Sequence, residues 1–190
     1  MNKLMKTRLP SLCFCLLILF VSARSGAANF AHAEAHNPII WADVPDPSVI
    51  RVGDTYYMSS TTMHVSPHVP IMKSKDLVNW QLIGYACDTI GDNDALTLQN
   101  GQNAYGAGSW ASSLRQHDGV FYVAMSSSTT GKTYVSRTKD IEKGPWTVNS
   151  FSPALHDGSL VFDDDGRVYM VNCGGDIRLR DEKATNSYPA

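Results

Sequence analysis

The chain repeats itself, and this repeat limits the fold more than any other feature. Three segments match one another: Asp46-Pro47-Ser48-Val49-Ile50, Ala111-Ser112-Ser113-Leu114-Arg115 and Asp157-Gly158-Ser159-Leu160-Val161. Each precedes a tight turn and an aromatic strand, with Tyr57, Tyr122 and Tyr169 falling eleven, eleven and twelve residues after the first position of its segment. A further match closes the first two units, Ser74-Lys75-Asp76-Leu77 leading to Trp80 and Thr138-Lys139-Asp140-Ile141 leading to Trp146. Past residue 37 the pattern is short strands with Gly, Asp and Asn turns and no sustained helical period, which makes the chain all-β. Units of 65 and then 46 residues with about four strands each read as blades of a β-propeller. The alternative is a β-sandwich with accidental similarity, and matches that recur in the same order from unit to unit argue against accident. In a blade the first strand lies nearest the axis, so Ser48, Ser113 and Ser159 are expected around one shared funnel.

Residues 34–179 hold only about two and a half to three such units, whereas a closed propeller needs roughly four to eight blades. Each open blade face of about 500 Å² of apolar surface would forfeit about 12 kcal/mol, at ~25 cal/mol per Å². That is comparable with a typical net stability of about 5–15 kcal/mol, so an isolated arc is expected to be marginal or aggregation-prone. The third unit loses its pattern after Asp176-Ile177-Arg178-Leu179, and residues 180–190 read as an irregular tail of the kind left by a truncation or frameshift. A short protein that completes its ring by oligomerising is the alternative.

Residues 1–33 read as a secretory signal. Lys3, Lys6 and Arg8 precede an apolar run from Leu12 to Val21, and small residues including Ala31-His32-Ala33 follow. The run of about ten residues falls short of the ~20 that span a bilayer, so a retained membrane helix is the weaker reading. Cleavage after Ala33 is expected, although residues 23–28 offer other small-residue sites, and the mature chain would be secreted or periplasmic. Four of the 16 basic residues and none of the 18 acidic ones lie in this segment, so the remainder carries about −6. That balance leaves no footprint for nucleic acid or anionic lipid and suits a neutral small molecule or polymer as partner. Cys13 and Cys15 would leave with the signal. The remaining Cys87 and Cys173 permit either one disulfide or two separate buried thiols.

Asn37-Pro38, followed by Asp43-Val44-Pro45-Asp46-Pro47-Ser48-Val49-Ile50-Arg51-Val52-Gly53-Asp54-Thr55-Tyr56-Tyr57, resembles the opening of glycoside hydrolase family 43. Ser74-Lys75-Asp76-Leu77-Val78-Asn79-Trp80, Gly108-Ser109-Trp110-Ala111-Ser112-Ser113-Leu114-Arg115 and the stretch from His156 to Gly166 are similar to later motifs of that family, in order. The resemblance runs over residues 37–179 and implies a five-bladed propeller. It also implies hydrolysis of plant pentose glycans with inversion, by β-xylosidases, α-L-arabinofuranosidases, arabinanases or xylanases. A xylo- or arabino-oligosaccharide is the implied substrate.

By position, Asp46 matches the family's general base and Asp157 the carboxylate that orients the general acid and holds up its pKa. The chemistry fits these residue types. An inverting site needs a base and an acid ~6.5–9.5 Å apart with room for water between them, and a third acid nearby raises the proton donor's pKa. Asp before Pro is also an ordinary turn at a strand start, but its register with Asp157 favours the functional reading. Asp43 is a rival base. Trp110 matches an aromatic residue of the sugar pocket, its alternative being a packed propeller Trp. Met63 and His64 lie on the loop where the family lines its sugar subsite. His156 can reach the funnel, although a structural histidine is the simpler reading.

No cofactor is implied. Asp163, Asp164 and Asp165 suggest Ca²⁺, yet they lack the spacing of a calcium loop and fall where a hairpin turn is expected. Gly158 and Ser112 replace common prolines, which should loosen those turns. The family's general acid is a Glu on a later blade, and Glu34, Glu142 and Glu182 do not match it. General acid help is worth about 10²–10⁴ in rate, so the 190-residue chain is expected to be inactive. The competing reading is a non-catalytic glycan-binding propeller fragment that keeps Trp110. A related fructan hydrolase is disfavoured because its nucleophile motif, Asn before Asp, does not stand at Asp46.

Overall fold

Each repeat folds into an up-and-down antiparallel sheet, and the strands begin where the matched segments predict. The computed structural model describes residues 34–91, 93–173 and 177–181, with no side chains described from residue 174 onward. The signal segment expected at residues 1–33 and the tail from residue 182 lie outside them. The first sheet is β1 (Ser48–Val52), β2 (Thr55–Ser59), β3 (His68–Ser74) and β4 (Gln81–Cys87), in that order. A single helical turn, α1 (Asp94–Thr97), follows. The second sheet is β5 (Ser113–His117), β6 (Val120–Ser127), β7 (Lys132–Thr138) and β8 (Thr147–Phe151). The third has three strands, β9 (Ser159–Phe162), β10 (Arg167–Val171) and β11 (Ile177–Asp181), so strand pairing runs to Asp181, two residues beyond the last match.

The register is the same in all three sheets. Tyr57 opposes Ile50, Tyr122 opposes Arg115 and Tyr169 opposes Val161, each the third residue of its first strand. The extra residue in the third unit is absorbed by its longer turn, residues 163–166, where Asp163 and Gly166 close the hairpin through backbone bonds. The Asp163 and Asp165 carboxylates accept the amides of Asp164 and Arg167, and Asp165 also pairs with the Arg167 guanidinium at 3.1 Å.

The turn after the third strand repeats too, because it is built by the same side-chain chemistry. The Asp76 amide donates to the Ser74 hydroxyl, and the Asp140 amide to the Thr138 hydroxyl. The Asp76 carboxylate then accepts from the Val78 and Asn79 amides, and that of Asp140 from the Glu142 and Lys143 amides. These backbone bonds hold the Asp76 carboxyl well below the usual carboxylate range, the Asn79 amide contributing most.

Packing explains why β6 reads as an unbroken buried run. Phe121, Val123 and Met125 face the first sheet and join Tyr57, Val69, Ile71, Leu96 and Leu114 in one core. Tyr122 and Ala124 point the other way, into a second core with Leu160, Val168 and Met170 of the third sheet. With a period of two, a strand covered on both faces loses its polar alternation. The first strands pack in sequence, β1 on β5 and β5 on β9. Between them small hydroxyls take the place of large side chains. The Leu114 amide donates to the Ser48 hydroxyl at 3.1 Å, Ser113 and Ser159 hydroxyls meet at 3.3 Å, and buried Ser59 and Ser112 meet at 2.8 Å.

The described residues belong to one unit, His32–Ala190, and none of their helices is long and apolar enough to cross a membrane. Neither alternative for the cysteines holds. Cys87 is buried with its thiol donating to the Thr89 carbonyl, Cys173 is exposed, and both are free.

Candidate active site

The two aspartates singled out by the repeat occupy equivalent backbone positions. Asp46 and Asp157 each sit two residues before the first strand of their sheet, with φ of 50° and 52°. The left-handed region is uncommon for residues with a Cβ and is tolerated best by Asp and Asn. Ala111, at the same point of the second sheet, does not share it. Both acids are exposed, so each carboxylate meets solvent at the start of its first strand, with β5 packed between β1 and β9. Asp43 is exposed as well, on the segment leading to Pro45.

Hydrogen bonds tie the loops at this end together. The Pro45 carbonyl accepts from the Ser60 hydroxyl at 2.6 Å and the Thr61 amide at 3.4 Å, fixing the segment before Asp46 to the end of β2. Ser112 donates to the Ser60 carbonyl at 3.4 Å as well as meeting Ser59, so the position expected to loosen this turn is held by two partners. Gly158 is buried, and a Cβ there would stand 3.2 Å from the Met170 sulfur. The turn before β9 therefore lies hard against β10 rather than loose.

Trp110 precedes β5 at this end. Its amide donates to the Ser126 carbonyl, and its half-buried ring meets His156 edge-on with centroids 5.0 Å apart. The indole N–H is buried without an acceptor among the described residues. Trp110 is thus brought beside His156 and Asp157. Met63 is half-buried, and its carbonyl accepts from the Gly108 amide at 2.8 Å. Next to it, His64 stacks on Tyr105 at 4.3 Å and accepts the Gly106 amide on Nδ1 at 2.9 Å. Tyr105 was not singled out by the sequence. Its place in a loop far from His64 in the chain gives no local signal, although its 81% exposure makes it a platform open to solvent.

The described glutamates have other partners. Glu34 is exposed and lies 3.6 Å from His36. Glu142 sits in the turn between β7 and β8, where it accepts from Lys73 at 2.6 Å and from the Tyr57 hydroxyl at 3.0 Å. Those bonds, Lys73 first, hold its carboxyl below the usual range and make it a clamp between the first two sheets. Glu182 lies outside the described residues. One further cluster escaped the sequence reading: His156, Asp157 and Cys173 place one side-chain donor each within 4.8 Å of one another.

Relatives fit this arrangement. A beta-xylosidase of Formosa agariphila is 37% identical over 140 residues, 71% of this chain and 23% of its own length. A non-reducing end alpha-L-arabinofuranosidase of Bacteroides ovatus is 37% identical over 162 residues, 83% of this chain and 29% of its own length. Among solved structures, a bifunctional GH43-CE protein of Bacteroides eggerthii superposes with a TM-score of 0.72 at 56% identity, covering 78% of this chain and 21% of that one. The chain therefore spans about a quarter of the length of these relatives. The model of "Glycosyl hydrolases family 43" matches residues 35–188, which takes in every strand described above, and the chain belongs to that family.

Proposed function

We propose that this chain carries the base half of an inverting pentosidase site on the first three blades of a five-bladed propeller. Asp46 is the general base that activates water at the anomeric carbon. Asp157 is the carboxylate that orients the proton donor and raises its pKa by like-charge repulsion. Trp110 offers a ring to the apolar face of a sugar, and Met63 lines the same end. The substrates are xylan- or arabinan-type oligosaccharides, in keeping with the names of the relatives, and residues 1–33 direct the chain out of the cytoplasm. The observation that supports this reading is the pairing of Asp46 and Asp157. They share one register position and one unusual backbone conformation, at the same end of first strands that pack in order through β5.

Of the described glutamates, Glu142 is bonded to Tyr57 and Lys73 and Glu34 lies by His36, so among the described residues the site has a base and no glutamate bonded beside it as proton donor. Such a site hydrolyses only substrates whose leaving group departs without a proton. The test is the expressed chain on a dinitrophenyl β-xyloside, a dinitrophenyl arabinofuranoside and xylobiose. Slow release of dinitrophenolate that disappears in Asp46→Ala, with xylobiose untouched, is expected. Release indifferent to Asp46→Ala would refute the base, and cleavage of xylobiose would refute the missing acid.

A further inference from the structure

The cluster of His156, Asp157 and Cys173 has a composition that the glycosidase reading does not use. We propose that these three side chains form a binding site for zinc. The donor set decides the class of cation. A thiolate and an imidazole beside one carboxylate suit a borderline-soft ion, whereas calcium and magnesium take six or more oxygens.

The spacing fits as well. Tetrahedral zinc, with bonds of about 2.0–2.3 Å, keeps its ligand atoms roughly 3.3–3.7 Å apart. His156 Nε2 and Asp157 Oδ2 already stand 3.6 Å apart. The Cys173 sulfur lies within 4.8 Å of both, on an exposed side chain. Three protein ligands leave the fourth position to water.

The backbone that presents these donors is held in place. The Cys173 amide donates to the His156 carbonyl at 3.1 Å, clamping the end of β10 to the turn before β9. Ser159 pairs with Val171 in the ladder just inside that clamp. The absence of a Cβ at Gly158 lets the turn close on Met170. Trp110 covers one side of the His156 ring, limiting its rotation.

Zinc binding stands on this ligand geometry alone. One consequence does rest on the proposed function: a bound ion occupies the Asp157 carboxylate, so zinc inhibits any polypeptide in which the site is complete.

The experiment is titration of the full chain with Co²⁺ as a spectroscopic stand-in, followed by displacement with Zn²⁺. It is run in a Cys13→Ser, Cys15→Ser background so that the N-terminal thiols do not contribute. One equivalent of Co²⁺ should bind with a near-ultraviolet thiolate-to-cobalt band that Zn²⁺ removes and Ca²⁺ does not. Cys173→Ser should abolish the band, and His156→Ala should weaken binding by about tenfold or more, as losses around metal sites commonly do. Both side chains are exposed, so these variants keep the fold, which far-ultraviolet circular dichroism checks. The proposal is overturned by a lack of saturable Co²⁺ and Zn²⁺ binding, or by a charge-transfer band that survives Cys173→Ser. Neither result bears on dinitrophenyl glycoside turnover, so the two readings fail separately.

Discussion

Replacing Gly108 with alanine should unzip the loop that carries Met63. Three hydrogen bonds with amide donors join residues 62–64 to residues 107–109 there. The Gly108 amide donates to the Met63 carbonyl at 2.8 Å, the Ser109 amide to the Thr62 carbonyl at 3.2 Å, and the Thr62 amide to the Ser109 hydroxyl at 3.1 Å. A Cβ on residue 108 would stand 2.6 Å from the Thr62 oxygen, 2.9 Å from the Met63 carbonyl carbon and 3.0 Å from the His64 nitrogen. All three are backbone atoms, so no rotamer relieves the clash. Restoring contact to about 3.4 Å separates the segments by about 0.8 Å and carries two of the bonds beyond useful length. Two bonds at about 1 kcal/mol each and about 1–3 kcal/mol of overpacking are offset by under 1 kcal/mol of unfolded-state entropy lost with glycine. The net cost is about 2–4 kcal/mol, on the order of 5–15 °C in Tm for a domain of this size. The assay is a thermal melt beside Gly84→Ala, where a Cβ meets nothing within 4 Å and little change is expected. A Gly108→Ala chain melting within about a degree of the parent would refute the loop pairing.

His68 is fully buried, and burial lowers its pKa from 6.5 to about 4. The unfolded chain therefore takes up a proton that the folded chain refuses. This contribution is intact above about pH 6.5 and is lost as pH falls toward 4, up to about 3 kcal/mol in all. Urea midpoints between pH 7 and 4.5 should fall in the parent and lose part of that slope in His68→Gln. In the Cys13→Ser, Cys15→Ser background a thiol reagent should label Cys173 at once. Cys87, buried and with its thiol pushed up to about 11, should react only on unfolding; early labelling of Cys87 would show that the first core is open. Leu114→Ala removes a side chain with no exposed surface between the first two sheets and should cost about 2–5 kcal/mol in chemical denaturation.

What was legible in the sequence is what local chemistry fixes. Ser48, Ser113 and Ser159 begin their strands as matched, and the three tyrosines oppose the third residue of each first strand. The Ser74 and Thr138 turns repeat because one hydroxyl and one carboxylate, two residues apart, dictate both. The helical turn α1 was missed because four residues carry no period. Only Asn93, accepting the Ala95 and Leu96 amides on its side chain, marks its start. Glu142 stands in the turn between β7 and β8, but its bonds to Tyr57 and Lys73 cross between sheets and leave no trace in either local pattern. The cysteines went unread for the same reason. Cys87 ends a strand buried only at its last two residues and Cys173 follows one with an exposed end, and only the packing of neighbouring sheets decides which thiol reaches water.

Acids two repeats apart fall at one end of the molecule because that placement depends only on register and strand order. Once β1, β5 and β9 pack in sequence, whatever precedes each strand is delivered to the same end, and its neighbours need not be known. The shell around those acids is decided differently. Trp110 against His156, and Cys173 against His156, join loops that belong to different repeats or to opposite ends of a hairpin. Such contacts depend on loop lengths that vary between units, and here the third hairpin turn is already longer than the two-residue turns of the first two. A repeat can therefore predict where the carboxylates go while saying nothing of the thiol beside one of them. That thiol is why the metal titration and the glycoside assay probe two separate properties of the same corner.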